Sequence, residues 1–78
     1  MATLSDPTFG MRAVGLSFNP SGDPKVHECK VVYAHLIDML DDLRGRSTDP
    51  EVKRLASVTI TELQGAQMWH VKTLTWGK

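Results

Sequence analysis

The side chains that could bind a metal ion or catalyse a reaction are few and widely spaced. His27 and His35 are eight residues apart. On a helix that spacing is about 12 Å of rise, too far for one metal ion. Cys29 has no neighbouring base that would activate a thiolate, so we interpret it as a small core residue. Three carboxylates follow, at Asp38, Asp41 and Asp42. Their clustering on one predicted helix is typical of a solvated face, so we expect neither a metal site nor a catalytic one.

Basic side chains close to aromatic ones indicate a different chemistry, the binding of a small, planar anion. Lys72 lies near Trp69 and Trp76, and no acidic residue follows Glu62. Lysine and arginine bind phosphates, and nucleobases stack on aromatic side chains. Lys30 lies one position past an apolar position, at the edge of the apolar stripe of the first predicted helix. It has two open interpretations: its stem covers the helix interface, or its ammonium contacts a ligand.

The composition excludes several classes of protein. The 78 residues carry nine Lys and Arg against nine Asp and Glu, so the net charge is zero. A protein that coats DNA or RNA needs a basic excess, so we expect no polymeric nucleic acid as partner. A single cysteine excludes an intramolecular disulfide and favours a reducing compartment. No run approaches the ~20 apolar residues of a membrane span and no signal peptide is apparent, so we expect no membrane partner.

The elements that must position these residues are an N-terminal arm, residues 1–22, and a helical hairpin, residues 23–78. Proline and glycine punctuate the arm, which predicts an irregular conformation. The arm nevertheless contains too many apolar side chains for an idle tail, and they predict packing against the hairpin: Phe9, Met11, Val14, Leu16 and Phe18.

An Asp-Pro pair opens each of the two predicted helices, at Asp23-Pro24 and at Asp49-Pro50. The aspartate accepts hydrogen bonds from the first-turn amides, and proline fits the first helical position. Gly45 is expected to end the first helix. A connection of about four residues makes the helices antiparallel neighbours, so the predicted fold class is all-α.

The apolar positions of each predicted helix define the faces expected to pack. Gaps of three and four residues in the first helix form a heptad seam of Val26, Cys29, Tyr33, Leu36, Leu40 and Leu43. One face of the second helix carries Val52, Ala56, Ile60, Leu63, Gln67, Val71 and Leu74. A different face carries Thr61, Gly65, either Met68 or Trp69, then Lys72 and Trp76, and we interpret it as an intermolecular surface. Because so short a hairpin cannot cover both of its apolar faces, we expect a compact homo-oligomer.

Two stretches of the sequence are similar to a known family. The first is G-L-S-F-N-P-S-G at residues 15–22, followed by E-C-K at 28–30 and L-I-D at 36–38. The second is T-E-L-Q-G-A-Q-M-W-H-V-K at residues 61–72. Together they resemble the phage anti-CBASS cyclic-oligonucleotide sponges and the related hairpin domain of the anti-Thoeris sponges. The resemblance covers nearly everything outside the first dozen residues.

The resemblance implies a protein that is not an enzyme and needs no cofactor. It implies binding of the cyclic di- or trinucleotide alarm signals that a bacterial host makes, in the cytoplasm of the infected cell. Bound signals are kept from their CBASS effector and are not cleaved. The resemblance also implies a compact hexamer with ligand pockets at the subunit interfaces, which agrees with the expected homo-oligomer.

The resemblance further implies roles for individual residues. Lys30 matches the phosphate-contacting lysine of the family, and Lys72 matches a basic residue late in the second helix. A gapless match puts Gly15 where the family has a base-stacking aromatic, so this role falls to Phe18 or to Trp69. With further phosphate and polar contacts added, the predicted ligand-binding residues are Arg12, Phe18, Asn19, Lys30, Thr61, Trp69 and Lys72.

Two other functions stay open at this point. The heptad seam is equally typical of a small structural or regulatory oligomerisation module that binds no nucleotide. A phosphodiesterase that degrades the signal is the third function, and it would need a metal-ligand constellation that the sequence does not provide.

Overall fold

The described part of the chain contains three helices: the two helices of the predicted hairpin and a short additional helix in the arm. The computed structural model describes residues 6–78, so the first five residues of the predicted arm lie outside the described residues. The helices are α1 (Phe9–Val14), α2 (Pro24–Arg46) and α3 (Pro50–Leu74). Tyr33 contacts His70, whereas Arg44 contacts Ser57 close to the connection, so α2 and α3 are antiparallel. The described part of the chain is therefore all-α and contains the predicted helical hairpin.

The two Asp-Pro pairs begin the long helices as predicted. A side-chain oxygen of Asp23 accepts a hydrogen bond from the Lys25 amide at 2.9 Å, and Asp49 does the same for Glu51. The Lys25 amide and the ammonium of Lys78, 3.1 Å away, lower the pKa of Asp23. Both helix starts are thus fixed by side chains that satisfy first-turn amides.

The predicted end of the first helix at Gly45 is wrong. Helix α2 continues through Gly45 to Arg46, and the amide of the capping residue Ser47 donates to the carbonyl of Leu43 at 3.0 Å. The carbonyl of Arg44 accepts from the ammonium of Lys53 at 2.6 Å. Because these donors satisfy carbonyls of the last turn, the helix ends without a left-handed glycine.

The prediction of a wholly irregular arm is also wrong, because residues 9–14 form α1. Thr8 caps this helix: its hydroxyl accepts from the Met11 amide at 3.1 Å. Gly15 ends it in the left-handed conformation, with φ of 62°, which glycine adopts without strain. The glycines that argued against a helix therefore include the residue that terminates one.

Close packing of α1 on α2 depends on Gly10. A Cβ at this position would lie 2.1 Å from the backbone oxygen of Ala34, so a larger residue would displace the arm. The Gly10 amide donates to a carboxylate oxygen of Asp38 at 2.7 Å. Asp38 is therefore partly buried and holds the arm, in contrast to the predicted solvated face, whereas Asp41 and Asp42 form surface ion pairs on α2.

The core lies where the arm meets both long helices. Its buried members are Val14, Ala34, Ile37 and Ile60. The predicted seam of α2 is only partly correct: Val26 and Cys29 are buried, but Leu36 and Leu43 are 39% and 48% exposed. The arm covers the side of α2 that carries Ala34 and Ile37, so the buried stripe turns away from Leu36 and Leu43. The predicted packing face of α3 is confirmed, with Ala56, Ile60 and Gln67 buried.

Within residues 6–78, no helix combines the length and the hydropathy that crossing a bilayer requires.

Candidate ligand-binding site

Lys30 is buried beneath the arm. It follows Val26 by one turn on α2, and only 6% of its surface is exposed. Its ammonium donates to the carbonyl of Gly15 at 3.0 Å and to that of Phe18. These hydrogen bonds explain how a lysine is accommodated so deeply, since a buried polar group needs partners. The predicted place at the edge of the apolar stripe is therefore wrong, because the arm folds over this position and closes it.

The charge of Lys30 has no anionic partner among the described residues. Both of its hydrogen-bond acceptors are neutral carbonyl oxygens, and the ion pairs of residues 6–78 involve other side chains. The ammonium also lies 5.5 Å from the centre of the Phe18 ring. A buried cation held only by dipoles leaves a positive potential at the surface above it, which favours an anion there.

A groove of about 520 Å³ lies over Lys30 and is called the arm groove here. The arm and α3 form its walls, and its lining includes Arg12, Phe18, Lys30, Gln64, Gln67 and Met68. Three of the predicted site residues therefore meet in one place: Arg12, Phe18 and Lys30. The Phe18 ring is 70% exposed and Met68 is 65% exposed, so each offers apolar surface to a flat ligand.

Gln67 is the residue of the arm groove that sequence reasoning did not assign to the site. It is 5% exposed, and its side chain has no hydrogen-bond partner among residues 6–78. Its polar atoms are not sealed from the surface, so the amide is accessible from the groove that it lines. The sequence did contain one signal that could have identified Gln67 as a site residue: it is the single polar residue on the otherwise apolar packing face of α3.

Arg12 lines the arm groove, whereas Asn19 lies beside it. The guanidinium of Arg12 is exposed and donates to the carbonyl of Pro7 at 3.1 Å, which leaves other N–H groups for a ligand. Asn19 donates to the carbonyl of Asp23 at 3.1 Å and accepts from the Ser21 hydroxyl at 2.8 Å. The polar atoms of Asn19 thus close the loop that precedes α2, and Asn19 lines the neighbouring grooves.

Trp69 and Lys72 form a second, separate surface with Thr73 and Trp76, called the tryptophan surface here. The Lys72 ammonium lies 5.6 Å from the centre of the Trp69 ring, which is 70% exposed. Trp69 follows Gln67 by two residues, which corresponds to a rotation of about 200° around the helix axis. Trp69 therefore points away from the side of α3 that carries Gln67. The predicted site residues Trp69 and Lys72 therefore lie apart from those that line the arm groove.

Thr61 joins neither group. Its side chain is exposed, and its hydroxyl donates to the carbonyl of Ser57 one turn earlier, at 3.2 Å. It lies about two turns before Trp69 on α3, nearer to the connection between the long helices.

The opposite side of the hairpin carries an apolar groove of about 490 Å³, called the open groove here. Its lining includes Cys29, Val32, Tyr33, Leu36 and His70, and the Tyr33 hydroxyl lies 3.1 Å from Nδ1 of His70. Burial raises the pKa of the Cys29 thiol, which keeps it protonated and poorly nucleophilic. Cys29 is therefore a packing residue, as predicted. In residues 6–78 no group of three or more His, Cys, Asp or Glu side chains could hold a metal ion.

Comparison with known proteins assigns the chain to a family. Searches of the curated proteins and of the solved structures each found no match. A protein family described as Acb2/Tad1, hairpin domain, matches residues 11–75. The matched region contains all of α2 and α3 and every predicted ligand-binding residue. It covers well over half of the chain, and the resemblance seen in the sequence is confirmed: the chain belongs to the Acb2/Tad1 hairpin-domain family, the hairpin of the anti-CBASS and anti-Thoeris cyclic-nucleotide sponges.

Proposed function

We propose that this protein is a phage anti-defence sponge for the cyclic di- or trinucleotide signals of its bacterial host. It acts in the cytoplasm of the infected cell, where it binds the signal stoichiometrically, does not cleave it, and keeps it from the CBASS effector. Family membership supports a sponge role in general terms. The observation that carries the proposal further is the arm groove, where the unpaired positive charge of Lys30 lies beside the exposed ring of Phe18.

The chemistry of the arm groove matches that of a cyclic nucleotide. Each phosphodiester carries one negative charge, which the exposed guanidinium of Arg12 and the field of Lys30 would offset. The bases need flat apolar walls, which Phe18 and Met68 provide. A sponge must outcompete an effector, and a nanomolar dissociation constant corresponds to about −12 kcal/mol. That affinity favours a pocket with several rigid walls over one open groove.

A homo-oligomer, most simply the hexamer that the resemblance implies, would supply those additional walls. In one copy Trp69 and Lys72 lie apart from the arm groove, and Trp76 is 77% exposed. A second copy placed against the groove would add an aromatic ring and a lysine to Phe18 and Arg12. Exposed apolar side chains at Val32 and Leu36 supply further surface that association would bury.

The decisive experiment is a depletion and recovery assay with defined ligands. The full chain is incubated with cyclic di-AMP, cyclic di-GMP or cyclic tri-AMP, free ligand is measured, and the sample is then heated and chromatographed. A sponge depletes at least one ligand and returns it intact after heating. Linear product would identify a phosphodiesterase instead, and no depletion of any ligand would overturn the proposal.

A matched pair of arginine variants locates the binding in the arm groove. Arg12→Ala removes an exposed cation that lines the groove and is expected to weaken binding. Arg46→Ala removes another exposed arginine, one that pairs with Asp42 on α2 at 2.9 Å. Equal affinities of the two variants would place the ligand elsewhere on the protein.

A structural or regulatory oligomerisation module is the second candidate function. The observation that favours it is the open groove, whose side chains Val32 and Leu36 are 55% and 39% exposed although they are apolar. Light scattering distinguishes the functions when it is combined with the depletion assay. A stable oligomer that depletes no cyclic nucleotide would support the module, whereas an 8.7 kDa particle would remove the interface pockets from the sponge proposal.

A further inference from the structure

The one unpartnered amide of the arm groove belongs to Gln67, and it suggests which base the groove accepts. We propose that Gln67 is a specificity-determining residue that recognises adenine, so that the groove prefers cyclic nucleotides that contain adenine. This inference rests on the proposed function, since it concerns a ligand of the same groove. It rests on the burial, the free amide and the placement of Gln67.

The placement of Gln67 is that of a group which a ligand would complete. Its side chain is 95% buried on the arm side of α3, yet no hydrogen bond engages its amide within residues 6–78. A buried polar group is normally hydrogen-bonded, and the exceptions call for an explanation. The atoms of the Gln67 amide stay accessible from the arm groove, so a bound molecule can reach them.

Gln64 shows what the same side chain does when its role is structural. It lies one turn earlier on α3, and its amide nitrogen donates to the carbonyl of Ala13 at 3.2 Å, at the end of α1. Gln64 therefore fastens the arm to α3. Gln67 carries the same amide and lines the same groove, but it forms no hydrogen bond with the described part of the chain. We therefore assign a positioning role to Gln64 and a recognition role to Gln67.

Adenine is the base whose edge fits a free glutamine amide. A glutamine forms two hydrogen bonds with it: the side-chain oxygen accepts from the N6 amino group, and the side-chain nitrogen donates to N7. Guanine presents two acceptors, O6 and N7, on the same edge, which suit Arg or Lys better than Gln. Phe18, Met68 and Arg12 line the same groove as Gln67, so an adenosine bound there would find apolar surface for its base and a cation for its phosphate.

The test combines a change in the ligand with a change in the protein. Calorimetry on the full chain compares cyclic di-AMP and cyclic tri-AMP with their 7-deaza analogues, in which N7 is replaced by carbon. We expect the 7-deaza change to weaken binding to the wild type by about tenfold. In Gln67→Met, which keeps the size of the side chain without its hydrogen bonds, the natural and 7-deaza ligands should bind alike.

Two further variants serve as controls: one tests whether the effect is specific to Gln67, and the other tests the role of its N–H donor. Gln64→Met removes an amide from the same helix, and the 7-deaza penalty should persist in it even if its overall affinity falls. Gln67→Glu keeps the acceptor for N6 but replaces the donor by an oxygen that repels N7, so it should lose most of the affinity for adenine. Circular dichroism of each variant checks that the helices are retained.

The outcomes separate this inference from the proposed function. A wild type that binds an adenine ring and its 7-deaza analogue equally, or that prefers cyclic di-GMP, overturns the role of Gln67 and leaves the sponge intact. A 7-deaza penalty that persists in Gln67→Met also overturns it. A wild type that binds no cyclic nucleotide overturns both proposals. If no Gln67 variant folds, the tenfold penalty in the wild type alone still supports or contradicts recognition through N7.

Discussion

Two lysines of this protein lie at nearly the same distance from an aromatic ring and are in opposite surroundings. The ammonium of Lys30 is 5.5 Å from the Phe18 ring, and that of Lys72 is 5.6 Å from the Trp69 ring. Lys30 is 6% exposed and donates to two arm carbonyls, whereas Lys72 is exposed. A cation–π contact contributes only about 0.5–1 kcal/mol at an exposed site. The difference between the two lysines therefore comes from the arm.

The arm gives Lys30 both a structural role and a role in ligand binding, whereas Lys72 has no structural role within a single chain. By binding the carbonyls of Gly15 and Phe18, Lys30 holds the loop that presents the Phe18 ring. Lys72 keeps its donors for partners outside the chain. We thus expect changes in the region of Lys30 to alter both stability and binding, and changes at Lys72 to alter binding alone.

The strongest test of this comparison disrupts the packing of the arm on α2 and leaves both lysines unchanged. Gly10→Ala places a methyl group against the backbone oxygen of Ala34, which cannot rotate away as a flexible side chain could. We expect a loss of about 3 kcal/mol in the free energy of unfolding, measured by urea denaturation. Affinity for cyclic nucleotides should fall with it, because Lys30 and Phe18 lose their arrangement.

Gly45→Ala is the matched control for Gly10→Ala. Gly45 also lies within a helix, but nothing lies within 4 Å of the position its Cβ would take. This substitution should stabilise the protein by about 0.5–1 kcal/mol, because alanine is the better helix former. If both alanine variants were equally stable, the arm would not depend on close packing at Gly10.

The next largest effect is expected for Lys30→Met, which keeps the apolar stem and removes the ammonium. Two arm carbonyls lose a charged donor, and hydrogen bonds to charged groups contribute about 1.5–3 kcal/mol. Urea denaturation should show that loss of stability, and calorimetry should show weaker binding of a cyclic nucleotide. Unchanged stability together with weaker binding would make Lys30 a ligand contact only, as in the simplest form of the sequence-based prediction.

Lys72→Ala should have a smaller effect that is confined to binding. An exposed side chain without hydrogen-bond partners in the described chain contributes little to folding, so stability should stay within about 0.5 kcal/mol of the wild type. Affinity should fall modestly, and its dependence on salt should weaken, because one screened phosphate contact is gone. Calorimetry at two salt concentrations measures both, and identical salt dependence in wild type and variant would exclude Lys72 from the site.

The smallest effect is expected at Cys29, which lies on α2 one residue before Lys30 but faces the open groove. Because burial raises the pKa of its thiol, alkylation by iodoacetamide at neutral pH should be much slower than in the urea-unfolded chain. Cys29→Ser should keep the affinity for cyclic nucleotides. Loss of affinity in a folded variant would place the ligand in the open groove rather than in the arm groove.

The sequence predicted the parts of this fold that depend on local chemistry. Asp23 and Asp49 cap their helices as expected, because an aspartate before a proline satisfies first-turn amides in almost any context. Helix α1 could not be predicted from its own residues, since Gly10 matters only for what it packs against. The shift of the buried stripe on α2 has the same cause: the path of the arm over Ala34 and Ile37 is a tertiary property.

The candidate site shows a similar division. Three of the predicted site residues, Arg12, Phe18 and Lys30, line one groove, although the sequence could not show that the arm buries Lys30. Gln67 was placed on the correct face of α3 and interpreted as packing, because a pattern of apolar positions does not reveal whether an amide has partners. Hydrogen bonding of a side chain depends on atoms from distant segments, here Ala13 for Gln64 and none for Gln67.

The shortness of α1 has a consequence for the order in which the molecule forms. A helix of six residues is not stable by itself, since isolated helices shorter than about 12–15 residues are marginal in water. Helix α1 can therefore persist only where α2 offers Asp38 and the surface around Ala34, so we expect the arm to dock after α2 has formed. The arm should correspondingly be the first segment to open, and the Gly10 amide should exchange with deuterium sooner than amides in the middle of α3. A ligand in the arm groove, in contact with the arm, would slow that exchange, so the exchange rate would also detect binding.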